Sequence, residues 1–135
     1  MIVTSWSPRG PISQAGAILR GAMALLAPPD ADSKRVPPSW GDPAFVRGLF
    51  EPLGATVDIE EQQLSFEAES PEAWFQEQEE NHPIWSGVKA ALAAMPGEWE
   101  RVRERAIECL RAGNEDPSRF RTTSAYLLIT ARKAV

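Results

Sequence analysis

The chain has 135 residues, 43% hydrophobic and 24% charged, with a formal charge of −5 and a pI near 4.9. That balance suits one folded domain over residues 1–135 and excludes a disordered chain, while the acidic surplus argues against a nucleic-acid partner. One cysteine, Cys109, excludes an intrachain disulfide and a multi-cysteine zinc site, and no apolar run approaches the ~20 residues of a membrane span.

Ile2 to Trp6 is rich in β-branched residues and stops at Ser7-Pro8-Arg9-Gly10-Pro11, so it reads as a short strand and not as a secretory leader. From Pro11, apolar residues at Ile12, Ala15, Leu19, Ala22, Met23 and Leu26 repeat at helical spacing until Pro28-Pro29. A loop rich in proline and polar residues is expected over residues 28–41. Asp42-Pro43 then offers an acceptor cap and a preset φ, and Phe45, Val46, Leu49, Phe50 and Leu53 form an apolar face before Gly54. Pro52 falls in the last turn of that helix and is expected to loosen it.

Residues 55–67 alternate as a strand, with Val57 and Ile59 in one phase and Leu64 and Phe66 in the other. The change of phase predicts a bulge or bend around Glu60-Glu61-Gln62-Gln63, and the many carboxylates predict an edge strand. Ser70-Pro71-Glu72 opens another helix, Ile84 to Met95 continues at helical spacing, and a further helix follows Pro96-Gly97 through Trp99, Val102, Ala106 and Leu110. After the polar turn Gly113-Asn114-Glu115-Asp116-Pro117, Tyr126-Leu127-Leu128-Ile129-Thr130 is apolar in both phases. That predicts a central strand covered on both faces. The fold expected is α+β: a three-stranded mixed sheet, in the order first, last, middle, packed with four or five helices. Apolar helix faces at Leu19/Met23/Leu26 and Trp85/Leu92 are expected to bury in a self-association interface.

These residues, in this order, resemble the C-terminal half of the class I, Rossmann-like S-adenosylmethionine-dependent methyltransferases. The likeness is nearest to the small-molecule enzymes related to ubiquinone and menaquinone biosynthesis. Val3-Thr4-Ser5-Trp6 is similar to the family's fifth strand, and Trp40-Gly41-Asp42 through Phe50 and Gly54 to the helix after the active-site insertion. Thr56 to Phe66 corresponds to the sixth strand, Ser70-Pro71-Glu72-Ala73 to the next helix start, and Ser124 to Thr130 to the closing strand.

The resemblance implies a substrate-side lobe that takes a small-molecule acceptor, in a cytoplasmic protein. The family's S-adenosylmethionine site lies in the other half, on a Gly-x-Gly turn after its first strand. No two glycines here form Gly-x-Gly, so no cofactor-binding residue carries over and no binding of the donor is expected for this chain alone. A separate cofactor-binding half, or a second copy paired through the edge of residues 2–6, is the partner expected.

The resemblance places residues after the fifth strand and in the insertion around the acceptor. Trp6, Trp40, Trp74 and Phe75 are therefore the candidate substrate-binding residues, each weighed against a plain packing role. His82, the single histidine, reads either as a base near neutral pH or as a capping residue before Pro83. Glu77, Glu79 and Glu80 lack a histidine at ligand spacing, so they read as a solvated helix face and no metal is expected. Arg101, Arg103 and Arg105, interleaved with Glu100, Glu104 and Glu108, read the same way. No catalytic residue is assigned.

Overall fold

The computed structural model describes residues 1–26 and 39–133, so the expected Pro-rich loop lies outside it except for its last residues, Ser39-Trp40-Gly41. Three strands, β1 (Ile2–Trp6), β2 (Ala55–Ala68) and β3 (Phe120–Lys133), form one sheet in the order β1-β3-β2. The last strand is thus central, as its sequence demands. Both ladders are antiparallel, running from Ile2↔Thr130 to Trp6↔Tyr126 and from Ala55↔Lys133 to Ala68↔Phe120. The sheet is therefore antiparallel throughout, with its two outer strands running the same way on either side of β3.

Among the described residues five helices accompany the sheet: α1 (Pro11–Leu26), α2 (Pro43–Phe50), α3 (Pro71–Asn81), α4 (Pro83–Leu92) and α5 (Glu98–Ala112). Their starts follow local chemistry. Asp42 accepts the Ala44 N–H at 2.9 Å and Ser70 accepts the Ala73 N–H at 3.0 Å, each followed by a proline at the first helical position. Pro52 leaves a 3-10 turn, Glu51–Leu53, after α2, and Gly54 at φ 75° stops it.

The ladder between β2 and β3 pairs one residue with one residue throughout, so the expected bulge at residues 60–63 is absent. The phase change has another cause. Val57 and Ile59 point to one face of the sheet, where α2 packs Val46, Phe45 and Phe50 against Val3, Leu127 and Ile129. Phe66 and Ala68 point to the other face, where Phe120 joins the core of α1, α3, α4 and α5. Each end of the sheet is covered on the opposite side, and β2 changes its apolar phase where the cover changes sides.

One expectation for β3 needs the same correction. Leu127 and Ile129 are buried under α2, but Tyr126 and Leu128 on the other face are only half-buried, so its apolar run is not covered twice along its length. Beside them Ile2, Trp6 and Leu64 leave an apolar strip of sheet open.

The helix faces expected to self-associate are used internally. Leu19, Trp85 and Leu92 are buried in the helical core, and only Met23 and Leu26 of that set are exposed. Nor is the acidic face of α3 wholly solvated. The Glu79 side chain is 11% exposed and paired with Lys89 of α4 and with Arg103 of α5 at 3.5 Å. Arg103 also lies over the Phe75 ring, 5.5 Å from its centroid.

At the outer end of α3, Arg111 joins Glu72 and Glu104 at 2.6 and 2.8 Å, which raises its own already high pKa. The Glu72 carboxyl is held below the usual range, first by the backbone N–H at the helix start and then by Arg111. The α5–β3 turn is just as tightly tied. Asn114 bonds the carbonyls of Asp116 and Arg119 at 2.8 and 2.9 Å, and Glu115 accepts the Thr123 N–H and hydroxyl at 2.7 and 2.9 Å.

Candidate functional site

The end of β1 positions the site. Gly41 packs so closely on this strand that a Cβ there would stand 2.6 Å from the Trp6 carbonyl oxygen, which brings the start of α2 against one side of the strand end. On the other side, α1 leaves after Ser7-Pro8-Arg9-Gly10 and passes opposite the α3–α4 junction. Between α1 and the α3–α4 junction a cleft of about 370 Å³ opens onto the sheet, within the range of small-molecule sites.

Its walls are aromatic. Trp6, Phe66, Trp74 and Trp85 line it in a continuous series, with ring centroids 5.7 Å apart from Trp6 to Phe66, 6.3 Å from Phe66 to Trp74 and 5.7 Å from Trp74 to Trp85. Trp6 is 53% exposed at the mouth, whereas Trp74 and Trp85 are buried at the back. Among the described residues no hydrogen bond engages these indole N–H groups, although a buried tryptophan usually finds an acceptor.

Seven of the fifteen lining residues are polar, two of them arginines and none a carboxylate. Ser124 lines the cleft from the central strand, is 6% exposed, and its hydroxyl has no hydrogen-bond partner among the described residues. Burying a hydroxyl unpaired is costly, so such a group calls for an explanation. His82 ends α3 and caps α4, its Nδ1 accepting the Ile84 N–H at 3.2 Å. A ring nitrogen that accepts leaves the proton on Nε2, so neutral His82 can donate to a ligand but has no free nitrogen for taking a proton. Arg9 is already engaged by Ser7 and Glu61. Arg20 has no carboxylate partner among the described residues, and its guanidinium lies back along α1 over Gly16, where a Cβ would stand 3.3 Å from Nη1.

Of the five residues singled out from sequence, the structure brings Trp6, Trp74 and His82 together in this cleft. Trp40 lies under the opposite face, 6.2 Å from Phe50, and Phe75 is fully buried behind the cleft between Trp85 and Trp99. Sequence reasoning missed Arg20, Ser124, Phe66 and Trp85. Two of them carried a signal: Arg20 is the sole charged residue of α1, and Ser124 stands in the inward phase of a central strand.

The methyl donor implied by the resemblance does not fit the residues described. A nucleoside cradle needs glycines that let the backbone approach the ligand. The strand–turn–helix unit of β1 and α1 instead carries Pro8, Arg9 and Pro11, with Gly10 alone at φ 89°. Among the described residues no three His, Cys, Asp or Glu side chains converge to hold a metal ion, and no helix is long and apolar enough to cross a membrane. The fold and cleft thus define an α+β domain with an aromatic-walled cleft at the end of β1. The chain matches no model of a known protein family and no curated protein.

Proposed function

We propose that the chain is the substrate-side portion of a cytoplasmic S-adenosylmethionine-dependent small-molecule methyltransferase, inactive alone and completed by a separate cofactor-binding half. The observation that carries the reading is the aromatic cleft at the end of β1, where the resemblance puts the methyl acceptor. The strand order β1-β3-β2 with antiparallel ladders supports it, since that resemblance implies the same order.

On this reading the chain contributes positioning. It would hold a planar acceptor by its faces and fix one polar group, and proximity to a donor supplies much of the acceleration of such a transfer. Titration calorimetry is expected to show no heat for S-adenosylmethionine with the chain alone. Methyl transfer is expected when a donor-binding half is supplied. A micromolar donor site on this chain by itself would overturn the reading.

A second reading, a non-catalytic binding or dimerisation module, is favoured by the outer edge of β1. Among the described residues that strand pairs only with β3, and its Ile2 is 71% exposed. Sedimentation would then show a dimer lost on Ile2→Lys, and a monomer at high concentration would remove this alternative.

A further inference from the structure

The charge of the cleft differs from that of the molecule. Nineteen carboxylates outnumber fourteen lysines and arginines in the chain, yet the fifteen residues lining the cleft include two arginines and no carboxylate. Arg9 is neutralised by Glu61, which leaves Arg20 as the cation without a carboxylate among the described residues. Gly16 matters here: a larger side chain would push against the guanidinium that lies over it. The same cleft holds the aromatic rings and the buried hydroxyl of Ser124, which has no hydrogen-bond partner among the described residues. The apolar slot, the forked guanidinium of Arg20 and the Ser124 hydroxyl together match the parts of an aromatic acid.

We propose that the cleft is a binding site for a small aromatic carboxylate of one or two rings. The ring lies among Trp6, Phe66, Trp74 and Trp85, the carboxylate pairs with Arg20, and a polar ring substituent or the acid's own oxygen reaches Ser124. The forked guanidinium matches a carboxylate in two parallel hydrogen bonds, which selects acids over amides and amines. The proposal names the acceptor class for the methyltransferase reading, but the binding itself does not need that reading to hold.

The test uses the whole chain with 1-naphthoate, read by tryptophan fluorescence and by the indole N–H signals in nitrogen-correlated NMR. Saturable binding is expected, with the Trp6, Trp74 and Trp85 signals shifting and that of Trp40, on the far face, unmoved. The neutral 1-naphthamide is expected to bind about tenfold more weakly, and Arg20→Gln to cost about tenfold for the acid and little for the amide. Ser124→Ala is expected to weaken the acid a few-fold, roughly one neutral hydrogen bond. Arg20 is exposed, so its replacement leaves the fold intact. Equal affinity for acid and amide, an unaffected Arg20→Gln variant, or shifts spread over Trp40 would overturn the proposal. Binding as expected without methyl transfer in the completed enzyme would leave this proposal standing and remove the methyltransferase reading alone.

Discussion

Two aromatic groups meet back to back in this protein, and they use the same side chains differently. Phe75, Trp85 and Trp99 stack within 5.0 to 6.0 Å in the helical core, closed over by Arg103 and the Glu79 pairs. Trp6, Phe66 and Trp74 continue the series outward, but there it ends on a half-exposed tryptophan beside open space. Trp85 belongs to both, with one edge against Phe75 and another at the cleft. The inner group stabilises the fold, and the outer group keeps apolar surface available to a ligand. The difference comes from what covers each group rather than from residue type.

Substitutions sharpen the contrast. Phe75→Ala removes a fully buried ring and is expected to destabilise the protein by about 3–5 kcal/mol, read as a lowered urea midpoint. A loss below about 1 kcal/mol would mean that the inner group is not the core. Gly113→Ala comes next. Its Cβ would stand 1.9 Å from the Pro11 Cγ, so α5 and the start of α1 must separate, at about 1–3 kcal/mol by thermal melting. An unchanged melting temperature would show that this close approach is relaxed in solution.

Trp6→Ala should cost about 1 kcal/mol or less, the scale of its ring contacts with Phe66 and Tyr126, while reducing naphthoate binding. A cost equal to that of Phe75→Ala would erase the distinction between the two groups. The smallest effect is expected from acid at the α5–β3 turn. The Asp116 carboxyl is held below its usual range by the Ser118 hydroxyl and then by the Ser118 N–H, at 2.7 and 2.8 Å. Because folding lowers this pKa, its contribution is present above the unfolded value and is lost as pH falls through the folded one, below about pH 4. The Ser118 amide should hold its NMR shift from pH 7 to 5 and move only below that, and Asp116→Asn should abolish the movement. A transition near pH 6 would assign the turn to another group.

Much of the fold was legible because its signals are local. Asp42-Pro43 and Ser70-Pro71 announce helix starts by the acceptors they place next to free N–H groups. Apolar spacing outlines α1, α2, α4 and α5, the cap alone announces α3, and the two-phase run Tyr126 to Thr130 singles out the strand that needs two neighbours. The phase change in β2 was visible too, but its meaning was not. A bulge and a change of covered face leave the same alternation in one strand, and only the partner register separates them.

The site was legible in part. An exposed Trp6 and a buried Phe75 look alike in sequence, because burial depends on residues far away in the chain. Arg20 and Ser124 are 104 positions apart and share a cleft only because β3 lies beside β1 while α1 turns back over the same face. The sequence by itself determined the α+β class, the capped helix starts at Pro43 and Pro71, the central place of β3 and the acidic balance, since these follow from neighbours within a turn or a strand. The tertiary structure alone decided which apolar faces are covered, where the one charged residue of α1 comes to lie, and which aromatics stay open, because those depend on long-range packing that no local pattern encodes.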